Sequence, residues 1–330
     1  MQTVIAGAGG LGSVVGGYLA QAGADVTLLG RQAHITAIRE RGLRIEGLRG
    51  PTLVRALRAV SDPSEVRAAD LLILCVKSYD TAEALASLAH LRDRIGVAIS
   101  FQNGGRKEEE LAEAFGREAV VGAATLVGAA MPEPGLVRHT NDGSTWIGEL
   151  DGRPVPRVEA IEALFRAANL SIEVRPDIRT AIWCKMAQMV AAASMACATR
   201  LFLHQILLDR GLAALFVELI REVAGVAGRL GIPLADFRGF AVKTLTTLPF
   251  KDAVDSIVTV GRTMRDRGLT QVKISMLQDL ERGKRTEADQ TLGHVVRLAA
   301  DLGVPLPKVE LLYRIIRGTE AAQRPSPAPA

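Results

Sequence analysis

The rhythm of hydrophobic positions changes once along this chain, near residue 176. Before that point, short apolar runs alternate with longer segments of helical period. Residues 3–6 and 25–29 read as strands, and 14–22 and 34–42 as helices. Residues 43–48 and 53–60 are strand-like. The runs 70–76 and 97–100 are continuously apolar, as in strands covered on both faces. Helices are expected over 81–91 and 107–115, and further strands over 120–127, within 135–149 and over 171–174. Strands alternating with helices predict an α/β fold with a Rossmann-type, doubly wound parallel sheet. From Asp177 onward almost no strand signal remains. Helix-length segments follow at 178–199, 204–230, 234–247, 251–267, 272–282, 286–302 and 307–320, punctuated by Gly231-Ile232-Pro233 and Gly303-Val304-Pro305. The expected plan is a parallel-sheet domain over 1–175, an all-helical domain over 176–320 and a disordered Pro/Ala-rich tail over 321–330.

The first strand runs into Gly7-Ala8-Gly9-Gly10-Leu11-Gly12, and a helix follows at once. Gly7-x-Gly9-x-x-Gly12 is the spacing of a dinucleotide-binding turn. Its first glycine permits the tight turn, its second lets a pyrophosphate approach the backbone, and its third lets helix and strand pack closely. The helix that begins there points free N–H groups and a positive dipole end toward the phosphates. The second strand ends Leu29-Gly30-Arg31, with no carboxylate before Glu40. NAD sites usually carry Asp or Glu there to hold the ribose 2′-hydroxyl. A guanidinium suits a 2′-phosphate instead, which favours NADPH.

Composition narrows the field without naming a reaction. Of 330 residues, 48% are apolar and 23% charged, enough for two packed cores and too apolar for global disorder. The net charge of +4 is scattered and aromatic residues make up 4%, so nucleic-acid binding has little support. The three cysteines sit in apolar runs without metal-ligand spacing, which suits a reducing cytoplasm and predicts no metal. A strand starting at residues 1–3 leaves no room for a signal peptide, and the apolar run 186–198 is too short to span a membrane. The five histidines are isolated and read as structural or surface groups. The apolar helical domain is compatible with a homodimer.

Several motifs occur in a fixed order: the glycine turn, Arg31, Lys77-Ser78-Tyr79-Asp80-Thr81, Gln102-Asn103-Gly104, Trp183-Cys184-Lys185, Ser275-Met276-Leu277-Gln278-Asp279 and Arg285-Thr286-Glu287-Ala288-Asp289. In that combination the chain resembles the ketopantoate reductase (2-dehydropantoate 2-reductase) family, through about residue 318. The resemblance implies a Rossmann domain joined to a helical domain, an active site in the cleft, NADPH as hydride donor and a small 2-oxo acid as substrate. It implies that Lys185 donates a proton to the substrate carbonyl and that Glu287 orients the lysine or the substrate. Asn103 would be shared between nicotinamide ribose and substrate, Ser275 would lie near the substrate carboxylate, and Lys77 would be a cation of the same site. Gly7, Gly9, Gly10, Leu11, Gly12 and Arg31 would hold the dinucleotide.

Each of these residues also has a plainer explanation. Thr286 is a fitting helix N-cap with Glu287 compensating the dipole, Ser275 can be a cap, and Lys77 and Asn103 can be loop residues. Lys185 is harder to dismiss, since a long uncharged run follows it. One departure stands out. The family reads a hydroxyl-bearing substrate with asparagines four and eight positions beyond the lysine, and here those positions are Met189 and Ala193. The expected reaction is reduction of ketopantoate on the pantothenate route. The alternatives are a reductase of a more apolar 2-oxo acid and a module that senses NADPH without turnover.

Overall fold

The computed structural model describes residues 1–323 and divides into two compact units. The first holds residues 1–102 and 106–182, the second 103–105 and everything from Trp183. The division after Ile182 falls a little beyond the expected boundary at 175, because the contacts change inside a helix rather than at the loop before it.

In the first unit the chain runs β1 (Gln2–Ala6), α1 (Gly10–Gln21), β2 (Asp25–Leu29), α2 (Gln32–Arg41), β3 (Leu43–Gly47), β4 (Thr52–Val54), β5 (Arg58–Val60), β6 (Ala69–Leu74), α3 (Thr81–Ser87), β7 (Ile95–Ser100) and α4 (Lys107–Phe115). It continues through β8 (Gly122–Thr125), β9 (Gly128–Glu133), β10 (Leu136–Asn141), β11 (Thr145–Gly148), α5 (Pro156–Ala167) and β12 (Ile172–Val174) into α6 (Ile178–Thr199). Five strands form a wholly parallel sheet in the order β5-β2-β1-β6-β7. Alternate residues of each strand supply two separate cores. Ile5, Leu28, Leu71, Ile73 and Ile99 pack with Val14, Val15 and Leu19 of α1 and with Ile161 and Phe165 of α5. Val4, Ala6, Leu29, Leu72, Leu74 and Ala98 pack with Leu85 of α3 and with Leu111 and Phe115 of α4. That is the physical meaning of the unbroken apolar runs: both faces of the sheet are covered.

The expected parallel order does not extend to the later strands. Just before β8 the chain touches β7 through the bridge Ala98↔Val120, but β8 itself ladders antiparallel to β11, which pairs with β12. The β9–β10 hairpin has reversed the chain by then, and β10 joins β3 and β4 in a second mixed sheet. The expected strand 53–60 is likewise two short strands, β4 and β5, which belong to different sheets.

The second unit contains the rest of α6, α7 (Leu203–Leu208), α8 (Arg210–Arg229), the two-residue strands β13 (Asp236–Phe237) and β14 (Phe240–Ala241), α9 (Val242–Thr247), α10 (Phe250–Asp266), α11 (Ser275–Glu281), α12 (Leu292–Leu302) and α13 (Pro307–Gln323). Three expectations need correction. The segment 204–230 is two helices, because Asp209 adopts an extended backbone and its carboxylate caps α8 by accepting from Leu212 N–H at 2.9 Å. The segment 234–247 opens with a β-hairpin, turned at Gly239 with φ +107°, before α9 begins. The helix expected from residue 286 begins only at Leu292. At the carboxyl end, residues 321–323 belong to α13 instead of a tail, and 324–330 lie outside the described residues.

Helix α6 also corrects an expectation about length. Its 22 residues are long and apolar enough to cross a membrane by length and composition, with a mean hydropathy of 1.3 over the best window. Two thirds of that window (67%) is buried inside the protein, and it packs as a core helix.

Candidate functional site

The glycine turn owes its shape to missing side chains. Gly7 has φ +102°, and a Cβ there would stand 2.4 Å from Val76 N. A Cβ on Gly12 would stand 2.4 Å from Gly7 O and 2.9 Å from Ile5 Cγ2. Both are therefore required by the fold. Gly9 differs, since a Cβ there would meet nothing within 4 Å. The space beside it is open, as a pyrophosphate requires. Gly7 and Ala8 N–H both donate to Leu29 O, at 3.0 and 2.8 Å, which ties the turn to the end of β2. Gly9 caps α1, no acidic residue occupies the first turn, and Ser13 N–H reaches back to Gly9 O at 3.0 Å. The N–H groups of Gly10, Leu11 and Gly12 precede the first intrahelical bond and are left for an anion. On these grounds the turn fits a dinucleotide.

Two side-chain clusters hold the surrounding loops. His34, buried in α2, accepts from Gly135 N–H at Nδ1 (2.9 Å), so its Nε2 carries the proton and donates to Ser13 Oγ at 3.0 Å. Desolvation lowers its pKa and keeps the ring neutral. The other cluster starts at Gln102, whose amide donates to Val76 O (3.0 Å) and Thr81 Oγ1 (2.8 Å) and accepts from Ser100 Oγ (2.9 Å). Those bonds brace the loop that carries Lys77 between β6 and α3. Beside it, the buried ammonium of Lys107 donates to Ser100 O at 3.1 Å, to Ala123 O and to Glu108 Oε1 at 2.5 Å. Arg31 sits just beyond β2 with a highly exposed guanidinium, and Asp80 Oδ2 accepts from it at 3.3 Å.

In the second unit the decisive contact joins residues 82 positions apart: Lys185 Nζ donates to Asn103 Oδ1 at 3.1 Å. Lys185 is half-buried on α6. Met189 follows one turn later, also half-buried, and Ala193 two turns later, 2% exposed. The short segment bearing Asn103 is fixed by Gly105 N–H, which donates to Gln290 O at 3.1 Å. Gly105 lies so close to the ring of His294 that a Cβ would stand 2.0 Å from its Cδ2. Glu287 is buried, in a bend before α12. Thr286 is not the helix N-cap expected of it. Its N–H and hydroxyl both bind the buried carboxylate of Glu320, at 3.2 and 3.1 Å, which holds the segment out of the helix. Ser275 is exposed and is the first residue of α11, one place after its N-cap Ile274.

The structure thus gathers Gly7, Gly9, Gly10, Leu11, Gly12, Arg31 and Lys77 in the first unit, on loops at the carboxyl ends of β1, β2 and β6. Asn103, Lys185, Met189, Ala193, Ser275 and Glu287 all belong to the second, where Lys185 and Asn103 are in contact. Residues 3–152 match the model of the family described as Ketopantoate reductase PanE/ApbA, and residues 177–320 match that of its C-terminal part. The chain belongs to the ketopantoate reductase family. It is 34% identical to the 2-dehydropantoate 2-reductase of Halobacterium salinarum, over 96% of this chain and 98% of that one. To the 2-dehydropantoate 2-reductase of Pyrococcus abyssi it is 33% identical, over 98% and 99%. A crystal structure of a PanE/ApbA family ketopantoate reductase from Ralstonia eutropha superposes with a TM-score of 0.81 at 31% identity, covering 98% of this chain and 99% of that one. The ternary structure of D-mandelate dehydrogenase with NADH and anilino(oxo)acetate shares the fold, at TM-score 0.84 and 21% identity, over 98% of this chain and 99% of that one. As a member of this family the protein is an oxidoreductase that works with a nicotinamide dinucleotide.

Sequence reasoning missed the bracing roles of Gln102, Lys107 and His34. From the sequence Lys107 reads only as the first residue of a helix, although a lysine at a helix N-terminus opposes the dipole and so calls for a partner. The three glutamates that follow it were the available signal.

Proposed function

We propose that the protein reduces a 2-oxo acid to the 2-hydroxy acid with NADPH in the cytoplasm, and that ketopantoate, on the route to pantothenate, is the leading substrate. The observation that carries this reading is the Lys185–Asn103 hydrogen bond in a chain of this family. The glycine turn would hold the pyrophosphate, and Arg31 the 2′-phosphate. When bound, the dinucleotide supplies hydride to the carbonyl carbon. Lys185 supplies the proton: its ammonium, aimed by the Asn103 amide, gives H⁺ to the carbonyl oxygen as the carbon–oxygen double bond becomes single. Asn103 limits where Nζ can point, so the proton is delivered at one oxygen. Glu287, which is buried, orients the lysine or the substrate. Ser275 and Lys77 are the remaining polar contacts offered to the substrate carboxylate and the cofactor.

A specific observation favours a second reading. Met189 and Ala193 line up with Lys185 on α6 and offer no hydrogen bond where the family reads a hydroxyl. An apolar wall separates substrates by only about 1–3 kcal/mol per methylene-sized difference. The test is kcat/KM with NADPH for ketopantoate and for the hydroxyl-free 2-oxoisovalerate. Comparable values, with Met189→Asn moving preference toward ketopantoate, support the apolar wall. Efficient turnover of ketopantoate with 2-oxoisovalerate far behind shows that other residues read the hydroxyl. No turnover of either dismisses both readings in favour of a dinucleotide-sensing module. Ala193 is a poor site for the same change, since its burial would strand a second amide.

A further inference from the structure

The ion pair at the end of β2 bears on how the protein tells two dinucleotides apart. The side chains of Arg31 and Asp80 are 89% and 31% exposed and meet at 3.3 Å. Arg31 follows β2 and Asp80 lies in the loop after β6, the two strands that flank β1 in the sheet. The pair therefore links the loops on either side of the glycine turn. Asp80 also occupies the N-cap of α3, where an aspartate normally accepts from a first-turn N–H. It makes no such bond, and its carboxylate is committed to Arg31 instead. Helix capping does not account for this side chain. Stability does not either, because an ion pair this exposed contributes little.

We propose that Asp80 sets the dinucleotide preference by opposing the 2′-phosphate that Arg31 receives. The proposal rests on the reading of Arg31 as the phosphate partner. A 2′-phosphate arriving at the guanidinium must displace the carboxylate or sit beside it as a second negative charge. An unphosphorylated ribose brings a hydroxyl at the same place, and an ionised carboxylate can accept its hydrogen bond. One side chain therefore weakens the phosphorylated dinucleotide and supports the unphosphorylated one. The arginine draws NADPH in, and the aspartate narrows its margin over NADH.

Asp80→Asn tests this directly, because it keeps the size and an acceptor oxygen while removing the charge. Purified wild-type, Asp80→Asn and Arg31→Ala proteins are titrated with NADPH and with NADH by nucleotide fluorescence, at low and at high salt, with no substrate present. Asp80→Asn is expected to tighten NADPH roughly two- to fivefold at low salt, to change NADH far less, and to lose much of its gain at high salt. Unchanged or weaker NADPH binding in Asp80→Asn overturns the proposal, since the carboxylate would then be neutral or merely holding the arginine in place. Arg31→Ala separates the two failures. If it leaves the NADPH-to-NADH ratio unchanged, the reading of Arg31 falls and this proposal with it. If it narrows the ratio while Asp80→Asn does nothing, only the role of Asp80 falls.

Discussion

The glycine turn of the first unit offers a ligand backbone groups, whereas the Lys185 site of the second unit offers side chains. Around Gly7 and Gly12 the strand, turn and helix approach so closely that no Cβ fits, and the groups offered to a ligand are N–H donors fixed by the fold. Around Lys185 the working atoms are an ammonium and an amide oxygen, brought from positions 103 and 185 and held by one hydrogen bond. The turn cannot be altered at Gly7 or Gly12 without disturbing the fold that makes it. The Lys185 site can lose its chemistry while the fold survives. Binding should therefore be coupled to stability at Gly7 and Gly12 of the turn, and catalysis uncoupled from it in the second unit.

The glycines offer the largest effect and the sharpest way to break that comparison. Gly12→Ala is expected to cost roughly 3 kcal/mol of stability, the upper end for overpacking, because the nearest atom is a backbone oxygen that cannot give way. Gly9→Ala, only three residues away, is expected to change stability by less than about 1 kcal/mol. It should still weaken dinucleotide binding about tenfold or more, or about 1.4 kcal/mol. Thermal melts and nucleotide titrations of the two variants check both halves. Equal melting temperatures would break the coupling. Arg31→Ala comes next in size. Its expected effect is to narrow the preference for NADPH over NADH by about 1–3 kcal/mol without moving the melting temperature, as measured by paired titrations.

The smallest expected effect is on pH dependence, and it comes from two histidines of the first unit. His34 and His139 are buried neutral, with pKa values below the ordinary 6.5 through desolvation. In the unfolded chain they take up protons near 6.5, while in the folded chain they do so only at lower pH. Their contribution is thus complete above 6.5 and is lost as pH falls toward the folded values, at no more than about 1.4 kcal/mol per pH unit for each histidine. Urea midpoints at pH 7.5 and 5.5 should show the loss, and His34→Gln should reduce it, since glutamine can accept from Gly135 and donate to Ser13 without titrating. A flat profile in the wild-type protein removes His34 from the account.

The same contrast explains what could be read from the sequence. A site built of backbone is local, so six residues from Gly7 to Gly12 announce it, and the unbroken apolar strands announce the sheet that supports it. A site built of side chains is not local. Nothing in the spacing of Asn103 and Lys185 says that they touch, and only resemblance to a family paired them. The bracing contacts were hidden for the same reason: Lys107 reaches Ala123, and Thr286 reaches Glu320, across distances no helical period encodes. Thr286 is instructive, because its local pattern pointed to a helix cap and a buried carboxylate 34 residues away prevailed.

The central claim is that Lys185 delivers the proton while the first unit binds the dinucleotide independently. It is tested most directly by Lys185→Ala, measured twice on one preparation: kcat for NADPH oxidation with the best 2-oxo acid, and Kd for NADPH alone. The account predicts that kcat falls by roughly 10²–10⁴ while Kd and the melting temperature stay as in the wild type. Near-normal turnover, or a loss of NADPH affinity that accounts for the whole defect, would contradict it.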